Sequence, residues 1–308
     1  MPKIEYLRKN FRLASLSLIE KINNVVSDYE RKGFSLTLRQ VYYQLVTRDI
    51  IPNKEKSYKM LSALISDARL AGLIDWTAIE DRTRYLRGNS HWTTPGSMID
   101  SAAYSYHLDH WKGQKSYVEV WVEKDALIGI VGQICARLDV SHFSCRGYVS
   151  QSEMWGAAQR LRRHRDQGQH IILLHLGDHD PSGQDMSRDI QERLAMFDEA
   201  HHVQFHRLAL NMEQIDRYSP PPNPTKLSDS RANGYIEKYG HDCWELDALE
   251  PQVISDLISE NVVKYRNDRK YESVLKQEKE ERALLEELSG NWPGVAANWK
   301  EIKSRFCE

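Results

Sequence analysis

Between residues 117 and 208 the chain alternates short apolar runs with helical patterns, and this alternation constrains its fold more than any other feature. Residues 117–122, 142–149, 171–176 and 203–208 read as strands, and 126–138, 154–165 and 185–197 as the helices between them. The pattern predicts an α/β fold with a doubly wound, mostly parallel sheet, because a parallel pair needs a crossover long enough to hold a helix. Sheets of this kind bind ligands outside the carboxyl ends of their strands. At that end the third strand runs straight into Gly-Asp-His-Asp-Pro-Ser-Gly, residues 177–183. Asp178 and Asp180 repel each other there unless a cation lies between them, and a hard ion such as Mg²⁺ suits oxygen ligands. Asp, Pro and Gly also favour turns, so the heptapeptide alone reads either as a metal site or as a turn.

The 308 residues suffice for one large domain or two ordinary ones, and 41% hydrophobic with 28% charged residues is the composition of a globular protein. The start carries no apolar signal region and no stretch approaches membrane-spanning length. Cys135, Cys145, Cys243 and Cys307 lie far apart, without Cys-x-x-Cys spacing, so reduced thiols in a cytoplasmic protein with no membrane contact are expected. His241 and Cys243 lack a second pair at zinc-ligand spacing. A net charge of −2 does not advertise a nucleic-acid partner, yet residues 1–50 hold nine basic residues against five acidic ones. A second basic cluster, Arg160, Arg162, Arg163, His164 and Arg165, falls on one helix. Either cluster alone reads as an ordinary solvated face; together they permit a basic groove.

Upstream of the sheet, residues 4–31 place Leu13, Leu16, Leu18, Ile19, Ile22, Val25 and Val26 at helical spacing, and Gly33 ends the pattern. Ser35 or Thr37 is positioned to cap a second helix through Leu38, Val41, Tyr42, Leu45 and Val46, and 57–71 reads as a third. A β-like stretch follows at 77–85. Helix, turn, helix and a short β element outline a winged helix, a module that usually places a helix in the DNA major groove. Two domains are therefore expected: a winged-helix DNA-binding domain over 1–110, and a sheet domain with a C-terminal helical extension over 111–308. Arg82, Arg84 and Arg87 lie where a wing would be and are candidates for gripping DNA phosphates, with surface pairing to Asp81 the ordinary alternative.

The first strand ends in Glu123-Lys124-Asp125-Ala126. Its tip should open on the same edge as that of the third strand, so Glu123 can face Asp178 and Asp180; helix capping or pairing with Lys124 is the plainer role for a lone Glu. The combination resembles a known family. Glu123-Lys124-Asp125-Ala126 looks like the first motif of Toprim domains, Gly147-Tyr148 sits where a Toprim glycine does, and Asp178-His179-Asp180-Pro181-Ser182-Gly183 is similar to an Asp-x-Asp-Pro-x-Gly motif. That last motif belongs to the branch containing the A subunit of topoisomerase VI and the meiotic double-strand-break transesterase. In these proteins a winged helix with an Arg-x-x-Tyr-Tyr motif precedes the Toprim domain, and Arg39-Gln40-Val41-Tyr42-Tyr43 has that form. Glu245-Leu246-Asp247-Ala248-Leu249 resembles a late segment of the same family.

The resemblance implies a homodimer in which Tyr43 of one protomer attacks a DNA phosphodiester at the Toprim site of the other, leaving a 5′-phosphotyrosyl link. It implies Mg²⁺ held by Glu123, Asp178 and Asp180. A phenol with a pKa of about 10 needs help to ionise, and Arg39, four residues before Tyr43 on the same helix face, can favour the phenolate or bind a phosphate. Adjacent tyrosines beside Leu38, Leu45 and Val46 also suit a half-core role. The chain is shorter than the usual A subunit and holds nothing like its partner ATPase. That fits reduced stand-alone versions, with or without a second subunit, and also defence-type Toprim nucleases that hydrolyse DNA with metal-activated water. A non-catalytic DNA-binding module is the remaining alternative. Of the lesser candidates, His179 is expected to face solvent at a turn. Ser150-Gln151-Ser152 should cap a helix or touch substrate, and Lys226, Asp229 and Arg231 form a polar loop that could approach the site.

Overall fold

The apolar runs pair into one parallel sheet. In the computed structural model, which describes residues 3–80, 89–197 and 202–306, the strand order is Ser141–Ser144, Ser116–Val122, His170–Leu176, Val203–Ala209. All neighbours are parallel. The first strand in sequence is thus interior, with the second on one side and the third on the other. Right-handed crossovers that leave in opposite directions put their helices on opposite faces. On one face Trp121, Ile171 and Leu173 pack against Met154, Ala157, Ala158 and Leu161 of helix Gln151–Asp166 and Ile190 and Leu194 of helix Pro181–Met196. Helix Ile128–Leu138 packs on the first strand from the other face and is covered by helix Pro251–Val263.

Glu119 is an exception in an otherwise apolar strand. Alternation puts it on the same face as Tyr117 and Trp121, where it is 1% exposed. Its carboxylate accepts from Arg160 at 2.6 and 3.0 Å, from the Trp121 indole at 2.8 Å and from the Tyr117 hydroxyl at 2.8 Å. Burial pushes its pKa up, and the Arg160 guanidinium outweighs that and holds it below the usual range.

Three elements differ from the sequence expectation. The second strand ends at Ser144 instead of reaching residue 149, because Arg146 and Gly147 take φ of 52° and 88°. Successive left-handed residues turn the chain out of the sheet. The helix expected from 185 begins at Pro181, since Asp180 caps it. The N-terminal helix is Leu13–Arg31 and buries Ile19, Ile22, Val25, Val26 and Tyr29, while Leu13 is 86% exposed.

Helix Leu38–Thr47 carries the Tyr-Tyr pair. Thr37 caps it through a reciprocal box with Gln40, whose side-chain oxygen accepts from the Thr37 N–H at 2.8 Å. Every residue from 40 to 46 is buried, so the helix is enclosed on all sides. Helices Leu13–Arg31 and Glu55–Leu70 and the 3₁₀ turn Leu246–Ala248 surround it. Buried Gln44 finds its partner in the Tyr29 hydroxyl at 2.8 Å. Leu36–Thr37 also pairs in parallel with Ile79–Glu80.

The chain divides into two compact units. Met1–Arg84 and Lys115–Tyr265 make the first, and Tyr85–Gln114 and Arg266–Glu308 the second. In the second, helix Pro95–Ser105 packs along helix Asp268–Gly290, which also meets helix Trp292–Phe306. The loop after Pro95–Ser105 is anchored by buried Glu278, which accepts from the Leu108 N–H at 2.8 Å and lies 2.6 Å from the His110 ring. No described helix is long and apolar enough to cross a membrane.

Candidate active site

The strand order fixes where a ligand crevice can form. The connections after the first and third strands leave in opposite directions, so the carboxyl ends of these neighbours, Val122 and Leu176, bound a topological switch point. The Glu123 N–H donates to the Leu176 carbonyl at 2.9 Å, carrying the pairing one residue beyond the strand. Glu123 Oε2 in turn accepts from the Asp178 N–H at 2.9 Å. A Cβ at Gly177 would stand 2.9 Å from that same oxygen, so any larger residue there would push the Glu123 carboxylate aside.

Each distinctive residue of the heptapeptide has a local cause. Asp180 caps helix Pro181–Met196, accepting from the Gly183 N–H at 2.6 Å and the Ser182 hydroxyl at 2.9 Å. Pro181 occupies the first helical position, where its missing N–H costs nothing. A side chain at Gly183 would collide with the Asp178 carbonyl. The two aspartates therefore differ: Asp178 is buried at the strand tip and Asp180 sits half-buried at a helix N-terminus.

Beside them runs a chain of alternating charges. The Asp178 carboxylate accepts from the Leu246 N–H at 2.8 Å and pairs with Lys124 at 2.9 Å. Lys124 also pairs with Glu245 at 2.6 Å and with fully buried Asp247 at 3.0 Å. Arg39, on helix Leu38–Thr47, closes the chain by pairing with Glu245 and, at 2.7 Å, with Asp247. Behind the strand tips, Arg207 donates to the carbonyls of Gly183 at 3.0 Å, Gly177 at 3.2 Å and Asp178, and to the Ser187 hydroxyl.

Five carboxylates (Glu123, Asp178, Asp180, Glu245, Asp247) thus share three cations (Lys124, Arg39, Arg207), and the shortage falls unevenly. Burial is the first influence on the carboxyls of Glu123, Asp178 and Glu245. Lys124 and Arg39 outweigh it at Glu245 and hold that group down at about 2. At Asp178 they do not: burial, with Glu123 and Asp247 adding to it and Lys124 opposing, pushes the group up to about 8. Glu123 is raised as well, chiefly by burial, with Asp180 adding to it. Lys124 is raised despite burial, because Asp247, Asp178 and Glu245 surround it. The two carboxyls flanking the switch point are the ones short of positive charge, and their oxygen donors suit a hard divalent ion. Among the described residues, Glu123, Asp178 and Asp180 do not all bring an oxygen within 4.8 Å of one another.

The tyrosines part company. The Tyr42 hydroxyl donates to Asn53 Oδ1 at 2.9 Å and to the Lys54 carbonyl at 3.3 Å, a structural anchorage. Tyr43 is 4% exposed, with the Arg39 guanidinium 5.7 Å from its ring centre. Burial, then Asp247 and Glu245, push its phenol well above the usual value, against the pull of Arg39 and Lys124.

The other expectations have mixed outcomes. His179 does not face solvent: it is 2% exposed, pairs backbone to backbone with Trp244, and sets its ring 2.7 Å from the Tyr235 hydroxyl. Tyr235, Tyr239 and Trp244 enclose it, because the segment leading to Glu245 folds over the turn. Ser150 caps helix Gln151–Asp166 through Glu153. In the 160–165 cluster, Arg160 serves Glu119, Arg162 the Phe197 carbonyl, and His164 stacks on Tyr117. Arg231 pairs with Asp229 and Asp185. Arg82, Arg84 and Arg87 lie outside the described residues. Lys124 and Asp247 belong to the sequence motifs but carry no signal of their own role there. Arg207 has no signal at all, since a lone arginine in a strand reads as an exposed position.

Fold and site together define a mixed α/β protein with a four-stranded parallel sheet and a cluster of carboxylates at its switch point. No known protein family, curated protein or solved structure matches this chain.

Proposed function

We propose that the chain is a divalent-metal-dependent DNA-cleaving protein, a winged helix joined to a Toprim-type sheet in the manner of the topoisomerase VI A subunit. The observation that carries the proposal is the joining of two sequence motifs in one site: Arg39, from the Arg-x-x-Tyr-Tyr helix, is ion-paired to Glu245 and Asp247, which share Lys124 with Asp178. Glu123, Asp178 and Asp180 would hold Mg²⁺ once their oxygens draw together, and the raised carboxyls of Glu123 and Asp178 support that assignment. A bound divalent ion supplies polarisation of a phosphoryl oxygen and stabilisation of the attacking and leaving oxygens. Arg39 is available to a phosphate from its 43% exposed side chain. Tyr43 is the nucleophile in this proposal, because Tyr42 is the one anchored by hydrogen bonds to Asn53 and Lys54.

Hydrolysis by metal-activated water is the alternative, and the environment of Tyr43 favours it: a buried phenol beside Asp247 and Glu245 resists ionisation. The resemblance also implies a homodimer with each Tyr43 acting in the partner's site, which requires this helix to leave its own clasp. Incubation of the protein with supercoiled plasmid and Mg²⁺ tests the proposal. Nicked or linear DNA with protein on its 5′ ends, lost in Tyr43→Phe and retained in Tyr42→Phe, is the expected outcome. Cleavage undiminished in Tyr43→Phe transfers the reaction to water, and no cleavage under any divalent ion or DNA form rejects the enzyme.

A further inference from the structure

We infer that Lys124 is the site's resident cation, held in competition with the divalent ion, so that metal uptake at Asp178 and release of Lys124 are a single event. The inference rests on the metal-site assignment above and goes beyond it by naming the group the metal must displace. Lys124 donates to Glu245 at 2.6 Å and to Asp247 at 3.0 Å and pairs with Asp178 at 2.9 Å, with 16% of the side chain exposed. Three carboxylates surround one ammonium.

Asp178 Oδ1 accepts from the Leu246 N–H at 2.8 Å, and Oδ2 lies 2.9 Å from the Lys124 ammonium. A divalent ion on this carboxylate would stand beside that ammonium, and two cations on one carboxylate repel each other. The ammonium, not the neutral Leu246 N–H, is what the ion repels. The Leu246 N–H is fixed by the 3₁₀ turn Leu246–Ala248, whereas Lys124 ends a flexible four-carbon stem. Lysine is the partner that yields. Its departure does not strand the late acidic segment, because Arg39 still pairs with both Glu245 and Asp247. The two cations thus have separate roles. Arg39 holds the segment, and Lys124 neutralises Asp178 until a stronger cation arrives.

The experiment is Mn²⁺ binding to the full chain, read by the loss of the free-ion electron paramagnetic resonance signal, for wild type, Lys124→Met and Lys124→Met/Asp178→Asn. Lys124→Met keeps the stem and removes the charge. It is expected to bind Mn²⁺ at least tenfold more tightly than wild type, and the double variant to lose that gain. Thermal melts guard against a purely structural role: Lys124→Met should melt below wild type in chelator and gain more from Mn²⁺ than wild type does. Equal or weaker binding by a cooperatively melting Lys124→Met protein overturns the inference, as does a variant that stays unfolded with Mn²⁺ present. Tighter binding by Lys124→Met in a protein that cuts no DNA supports the inference while rejecting the enzymatic proposal.

Discussion

At the scale of single residues, the site is governed by how positive charge is shared out. Asp178, raised to about 8 from an ordinary 3.8, keeps a proton when folded that it gives up when unfolded. That contribution to stability is complete below the ordinary value and is lost as pH rises through about 8. His175 and His179, held neutral by burial near 3 and 4, act in the opposite sense only below their ordinary 6.5. Glu245, held at about 2, keeps its full contribution throughout this range. The metal-free midpoint temperature should therefore fall as pH rises from 6.5 towards 8. Asp178→Asn should reduce that fall; a flat wild-type profile by calorimetry rejects the account. Glu123, Asp178 and Asp180 could be picked out in the sequence because strand tips and Asp-x-Asp spacing are local signals. The counter-charges could not: Arg39 and Glu245 are 206 residues apart, and nothing local predicts their meeting.

At the scale of elements, two substitutions separate structural from surface arginines. Arg160→Ala leaves Glu119 as an uncompensated buried carboxylate and should cost about 3 kcal/mol in urea denaturation. Arg163→Ala removes only a bond to its own helix's Gln159 carbonyl and should stay within about 0.5 kcal/mol. Equal effects would mean that Glu119 is not held as described. Thr37→Ala breaks the capping box of helix Leu38–Thr47 and should cost about 1 kcal/mol. The long strands were legible because residues buried on both faces of a parallel sheet form continuous apolar runs. The sequence pattern overextends Ser141–Ser144 because Arg146 carries no mark of a left-handed backbone. Helices Pro95–Ser105 and Ala232–Tyr239, at 11 and 8 residues, are too short for their spacing alone to mark them.

For the whole molecule, the units follow contacts and not chain order. The first is interrupted between Arg84 and Lys115, and the second is completed only by residues from Arg266 onward. Composition shifts mark linkers between successive domains and are silent about a unit made of separated pieces. A chain ended after Tyr265 keeps all of the first unit but strips helix Pro95–Ser105 of helix Asp268–Gly290, exposing Ala103 and Gly96. Such a chain should aggregate or be clipped between residues 89 and 114 in limited proteolysis, and a protease-resistant monomer would refute this.

The clasp between Arg39 and Glu245 also has a consequence in time. A ribosome adding roughly 5 to 20 residues per second makes Arg39 roughly 10 to 40 seconds before Glu245. Through that interval Lys124, Asp178 and the tyrosine helix exist without the segment that joins them. A nascent chain therefore carries an unfinished site until almost the last stretch of the first unit emerges. The charge network is thus completed late, after all four strands of the sheet have been made.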